Sequence, residues 1–291
     1  MNRADGYRIK CVDPIYEVMP HAMPLRYDAC NYMDLEIDAE VIQSYVNKCR
    51  RNGVKMSHMA VILAAYIRTA AKHYKLNRFV MNKKIYARNH FCVSFVTLKE
   101  GDEMDETAVK IYFNLDEDIF EVSKKIEDAI EFNRQAVTSN STDNLIRFVL
   151  SIPLLLRTFV NGMKIVDKFF TLPFPLIHAI PFHTSFFITN LASIRLNPIY
   201  HHIYEFGTTS IFLAMGQNQK KVVKNGDGFE ERKIMPMKIV TDERIANGYY
   251  YAQAFRDFKK YVANPELLEV KAEKVIRDPD IKKKNPKFFV K

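Results

Sequence analysis

Four elements follow one another without a break between residues 208 and 263, and their order restricts the fold more than any other stretch of the chain. TTSIFLAMGQ (208–217) is dense in β-branched and apolar residues and reads as a strand. NQKKVVKNGDGFEER then carries Asn225-Gly226 and Asp227-Gly228, pairs that tolerate the left-handed backbone of a tight hairpin. KIMPMKIVTDE (233–243) is the return strand, and GYYYAQAFRDFKKYVA a closing helix. Earlier segments repeat this mixture. YMDLEID (32–38) alternates as a strand, and Asp38 then caps a helix that stops at Gly53. Ser57 caps a second helix, HMAVILAAYIRTAAKHYK, apolar over most of its circumference and therefore expected to be buried on several sides. HFCVSFVTLK (90–99) and TAVKIYFNL (107–115) read as strands joined by the acidic loop EGDEMDE. Residues 118–136 form an amphipathic helix with Ile119, Val122, Ile126 and Ile130 on one side, and TSFFITNL (184–191) is a further strand. Strands and helices are mixed, with no repeat and no linker. The expected class is α/β, a mixed sheet flanked by helices in one domain over residues 1–268, followed by a basic tail over 269–291.

Composition agrees with a globular chain. Of 291 residues 48% are apolar and 26% charged, enough for a sizeable core. The four cysteines are widely spaced with no CxxC pair, which excludes a dense metal or disulfide framework and points to a reducing, cytoplasmic setting. The N-terminus MNRADGYRIK lacks the apolar run of a signal peptide. The net charge of +9 is concentrated in KAEKVIRDPDIKKKNPKFFVK (271–291). Such a tail can meet phosphates, but the simpler expectation is a solvated terminus with no nucleic-acid role.

The middle, residues 144–182, is strongly apolar. A bilayer span needs about 20 uninterrupted apolar residues. Arg157, Lys164, Asp167 and Lys168 interrupt the run, and Pro153, Pro173, Pro175 and Pro181 break its helices. Buried helices and turns are the first expectation; an interfacial membrane element, acting with the basic tail, is the alternative, and a true span is the least expected.

MPMKIVTDERIANGYYYAQAFRDFKKYVANPELL (235–268) resembles the C-terminal signature of the chloramphenicol acetyltransferase / dihydrolipoyl acyltransferase family, a strand ending in H-x-x-x-D-G before a long helix. The frame here is Asp242-Glu243-Arg244-Ile245-Ala246-Asn247-Gly248. SFFITNLASIRLNPIYHHIYEFGTTSIFLAMGQ is similar to the family's T-I-S-N-L-G … I-L-x-V-G segment, and MPLRYDACNYMDLEID to its start. The resemblance covers most of residues 5–268. It implies a coenzyme A thioester as substrate, a small acyl acceptor and a homotrimer with each site between two subunits, with no metal expected. Multienzyme members of the family carry lipoyl domains, but this chain starts almost directly in catalytic-domain sequence, so a stand-alone member without one is expected.

Carried over residue by residue, the family's oxyanion-stabilising hydroxyl falls on Thr189, Gly248 and Arg244 match, Glu243 stands at the base, and Asn247 stands at the aspartate. Acyl transfer needs a base to deprotonate the acceptor and a donor for the oxyanion. A glutamate is a weaker base than histidine by roughly two pKa units, about 3 kcal/mol if the proton is largely transferred. Burial against Tyr249, Tyr250 and Tyr251 would offset that. Asn247 lacks charge, so an arginine partner would lose its counterion. His202, or His201 beside it, is a second candidate base that could approach Glu243, with Glu205 as a further acid; ordinary loop histidines are the plainer alternative. His183 is expected to be structural. Two readings stay open: an active acyltransferase, or a non-catalytic binder of coenzyme A, an acyl carrier or a protein.

Overall fold

The computed structural model describes residues 2–10, 13–98, 106–135, 151, 155–283 and 286–288. Residues 100–105 of the acidic loop, Cys11, and 144–150 and 152–154 of the apolar middle lie outside them. In chain order the elements are β1 (Gly6–Arg8), α1 (Ile15–Ala22), β2 (Cys30–Asp38), α2 (Ala39–Arg51), α3 (His58–Lys72), β3 (Arg78–Met81), β4 (Lys84–Arg88), β5 (Phe91–Leu98), β6 (Glu106–Phe113) and α4 (Ile119–Gln135), then α5 (Leu155–Phe169), α6 (Phe174–Ala179), β7 (Phe186–Asn190), β8 (Ile211–Met215), β9 (Gln219–Asn225), β10 (Gly228–Asp242) and α7 (Gly248–Ala263).

The strands form a seven-stranded mixed sheet in the order β2-β10-β8-β7-β5-β6, with β9 paired to the first half of β10, and a small antiparallel sheet β1-β4-β3. Only β5–β7 and β7–β8 run parallel; the other pairs of the large sheet are antiparallel. The hairpin signal closes β9 onto β10: Asn225 faces Gly228, and Gly226 takes a positive φ of 59°, the conformation for which glycine is suited.

One face of the large sheet carries the helices. Strands alternate their side chains, so Leu35, Ile37, Phe186, Ile188, Ile211, Leu213, Met235, Met237 and Ile239 all enter one core with α2, α3, α4 and α7. The capping expectations hold: Asp38 accepts from the Glu40 N–H and Ser57 from the Ala60 N–H, each satisfying a donor that the first helical turn leaves unpaired. Helix α3 is buried along nearly its whole length. Of the apolar positions on α4, Ile119, Val122 and Ile126 are fully buried and Ile130 packs at the margin. The β3–β4 hairpin has no glycine signal; Asn82 and Lys83 take positive φ of 49° and 57°, a cost that asparagine tolerates well.

The opposite face holds Cys30, Phe187, Phe212 and Val240, and a meandering segment, 195–207, lies across it. His201 stacks flat on Phe212 at 4.1 Å. Tyr200 packs edge-on against Tyr32 and donates to Asp34. Gly216 allows the segment to come close, because a Cβ there would sit 2.1 Å from Pro198.

Two regions differ from expectation. Part of the basic tail is fastened: fully buried Arg78 makes paired bonds to Asp278 at 2.6 and 2.8 Å and one to Asp280 at 2.7 Å, and Ile281 bridges to Ile9. Helix α5 turns an acid inward rather than an apolar residue. Asp167 is buried between Arg3 and His183, while Ile165, Val166, Phe169 and Phe170 are exposed. Among the described residues no helix is long and apolar enough to cross a membrane.

Candidate functional site

The turn between β10 and α7 is built around Asp242. Its carboxylate is fully buried and receives a forked pair of bonds from Arg244, Nε at 2.8 Å and Nη2 at 2.7 Å. Arg26 stands 3.9 Å away and donates to the carbonyls of Val80, Tyr204, Glu205 and Gly207. The Asp242 N–H donates to the Ser210 carbonyl, and its own carbonyl accepts from Tyr251 Oη at 2.8 Å. Burial of a carboxylate needs such compensation, and two guanidiniums supply it. The arginines therefore keep a counterion, contrary to the expectation drawn from Asn247. That counterion is Asp242, at the start of the turn.

Asn247 has a different task. Its Oδ1 accepts from the Tyr250 N–H at 2.9 Å, and its N–H donates to Tyr16 Oη at 3.1 Å. It is the N-cap of α7, a position where asparagine and aspartate serve equally well. Glu243 follows Asp242 with its N–H bonded to the Ala29 carbonyl at 2.8 Å. Its side chain is half-buried and has no hydrogen-bond or ion-pair partner among the described residues. The three tyrosines after it are engaged elsewhere. Tyr249 is exposed, Tyr250 packs on His73 and Tyr74, and Tyr251 lies in the core.

Thr189 sits near the end of β7, half-buried. It shares the face of Phe187, two residues earlier, rather than the helix-covered face of Ile188. In register it lies beside Ala214 of β8, and Ala214 beside Lys238 of β10. Glu243 is five residues beyond Lys238. At about 3.3 Å per residue and about 4.8 Å per strand spacing, the two backbones are roughly 19 Å apart. One chain does not bring Thr189 and Glu243 together.

His202 is exposed and stacks against His201 and Tyr204 at 4.8 Å each. His201 is the more enclosed of the pair, and burial lowers its pKa below the ordinary histidine value. Its Nδ1 lies 3.3 Å from the His202 carbonyl; a proton placed there leaves Nε2 free to accept one. Its ring rests over Phe212, whose neighbour in the next strand is Phe187. It therefore lies over the strand next to that of Thr189, whose backbone is two residues and one strand spacing, roughly 8 Å, from that of Phe212. The doubled histidine marks this segment in the sequence, and burial together with the stack on Phe212 distinguishes His201 from His202. Glu205 is committed to the Arg26 N–H at 2.7 Å.

His183 is fully buried and bonds Asp167 at 2.9 Å. Burial, with Lys110 and Arg88 nearby, holds its pKa well below the usual range. A neutral ring thus donates to a carboxylate whose charge is balanced by Arg3. Among the described residues no group of three His, Cys, Asp or Glu side chains gathers as a metal site.

Residues 183–270 match the family model described as 2-oxoacid dehydrogenases acyltransferase (catalytic domain). This segment contains Thr189, the hairpin and the Asp242 turn. The fold of the whole chain is that of dihydrolipoamide acetyltransferase cores and of chloramphenicol acetyltransferase. Its fold is similar to that of a probable dihydrolipoamide acetyltransferase from Listeria monocytogenes 4b F2365, with TM-score 0.58, 13% identity, and 92% of this chain and 97% of the other covered. The dihydrolipoamide acetyltransferase of Azotobacter vinelandii is similar at TM-score 0.56 and 12% identity, covering 86% of this chain and 90% of that one. A chloramphenicol acetyltransferase matches at TM-score 0.53 and 8% identity, covering 87% and 96%. No curated protein sequence matches the chain.

Proposed function

We propose that this protein transfers an acyl group from a coenzyme A thioester to a small acceptor, at a cleft completed by a second copy of the chain within a homotrimer. The observation that carries this reading is the separation of Thr189 from Glu243. Both belong to the acyltransferase segment, both are half-buried, and neither is tied up by its own chain. A site that uses both must draw them from two chains.

In that site the Thr189 hydroxyl of one copy donates to the thioester oxygen as negative charge develops there, the step that preorganised donors accelerate most. Glu243 of the neighbouring copy accepts the acceptor's proton as the acceptor atom bonds the thioester carbonyl carbon; the C–S bond then breaks, and Glu243 returns the proton to the departing coenzyme A thiolate. His201 is the alternative base, since it shares the face of Thr189 and is neutral at pH 7. Asn247 positions the turn by capping α7 and touches no reacting atom. In the Azotobacter dihydrolipoamide acetyltransferase a serine, a histidine and an asparagine have a role in the catalytic mechanism, the last two four residues apart. Glu243 and Asn247 have the same spacing, which supports reading Asn247 as compatible with function.

The second reading is a non-catalytic binder of coenzyme A, an acyl carrier or a protein. One observation favours it: Glu243 has no hydrogen-bonded group to orient it among the described residues. Thiol release from acetyl-coenzyme A over a broad acceptor panel separates the two. The transferase reading expects turnover that falls with Thr189→Val and with Glu243→Gln. Absence of turnover in the unaltered protein would leave the binder. Retained activity in Glu243→Gln alongside loss in His201→Gln would move the proton to the histidine.

A further inference from the structure

Helix α5 leaves a contiguous apolar surface uncovered. Ile165 is 58% exposed, Phe169 58%, Phe170 70% and Val166 42%. Ile165 and Phe169 are one turn apart on the side away from buried Asp167, so they form the outer ridge of the helix. Exposed aromatic and branched side chains grouped in this way mark an interaction surface.

The flank of the same helix is basic. Lys164 and Lys168, also one turn apart, are exposed and line a cavity of about 340 Å³ beside the β3–β4 turn. Lys83, at the tip of that turn, lines it from the other side, and Arg26 and Arg244 from below. The acids bordering the cavity are already engaged, Asp167 with Arg3 and His183 and Glu205 with the Arg26 N–H. Lys83, Lys164 and Lys168 have no carboxylate partner among the described residues. The cavity thus presents unneutralised positive charge next to an exposed apolar ridge. A second copy seated on this face would bring the same unpaired lysines against these, which disfavours self-association here.

We propose that α5 docks the protein on an anionic phospholipid surface, its apolar ridge entering the interfacial layer and the lysine-lined cavity receiving a phosphate head group. The helix is too short to span; an amphipathic helix with cations beside its apolar face lies in the plane of the interface. This assignment differs from the buried packing expected for residues 144–182, and it does not depend on acyl transfer.

The test is co-sedimentation of the full chain with vesicles of phosphatidylcholine alone or of phosphatidylcholine with phosphatidylglycerol. The protein is expected to pellet with the anionic vesicles, less as salt rises, and to stay in solution with the neutral ones. Lys164→Gln with Lys168→Gln should weaken binding about 25-fold, at about fivefold per lysine near a charged surface. Ile165→Ser with Phe169→Ser should reduce pelleting to background while the circular dichroism and thermal midpoint remain unchanged. Equal pelleting with neutral vesicles, unchanged pelleting in either double variant, or no pelleting at all would overturn the proposal. So would binding of free glycerol phosphate without vesicle binding, or an oligomer that Phe169→Ser dissociates.

Discussion

The two faces of the large sheet obey different rules. On the helix-covered face, Leu213, Ile188, Met237 and Ile239 meet α2, α3, α4 and α7 in a continuous apolar core. On the opposite face the same strands present Thr189, Phe212, Lys238 and Asp34, overlaid by a segment bearing Tyr200, His201 and His202. The first face is closed within one chain. The second is half-closed and carries the titratable groups. On the proposed reading, stability and chemistry occupy opposite sides of the same strands, and only the second side depends on what else arrives.

The sharpest way to break that division is at Asp242, where the two sides meet. Asp242→Asn would leave Arg26 and Arg244 buried without their carboxylate, an expected loss of about 3–5 kcal/mol in urea unfolding. A loss below about 1 kcal/mol would mean that water or another acid already serves those arginines. Thr189→Val tests the other side. It should change stability little and lower kcat by about 10²–10³-fold, the effect of deleting one oxyanion donor. A large stability loss with no kinetic effect would make Thr189 a core residue instead.

Much of the closed face was legible in the sequence. Asp38 and Ser57 announced their helices as caps, the apolar run of α3 announced its burial, and Asn225–Gly228 announced the hairpin. What escaped was information spread across distant residues. The β3–β4 hairpin lacks glycine, so its turn had no local sign. Arg78 and Asp278 are 200 residues apart in sequence, so nothing local showed that the basic tail is fastened. At the site, the positions of Glu243, Thr189 and Asn247 followed from the resemblance. The counterion did not, because replacing an aspartate by Asn247 suggests a lost charge until Asp242 is seen to hold both arginines.

Protons supply a smaller, graded test of stability. His90 and His183 are buried, and desolvation holds both well below their ordinary pKa. They are neutral when folded and gain protons on unfolding, so their contribution is fully present above about pH 6.5 and is lost as pH falls toward their folded values. The urea midpoint should decline from pH 7 to pH 5, and His183→Gln should flatten part of that slope; a midpoint that rises over the interval would mean that these rings are charged in the fold. The smallest expected effect is at Glu243. With no partner to lose, Glu243→Gln should shift stability by no more than about 0.5 kcal/mol, and a loss above about 2 kcal/mol would assign Glu243 to the fold rather than to chemistry.

The claim that two chains complete one site is tested most directly by mixing defects. Thr189→Val and Glu243→Gln chains, each carrying a different affinity tag, would be co-expressed, purified through both tags, and assayed for thiol release from acetyl-coenzyme A. Mixed assemblies contain interfaces where an intact Thr189 faces an intact Glu243, so activity should return although each variant alone has little. Mixed assemblies as inactive as their parents would contradict a site shared between copies.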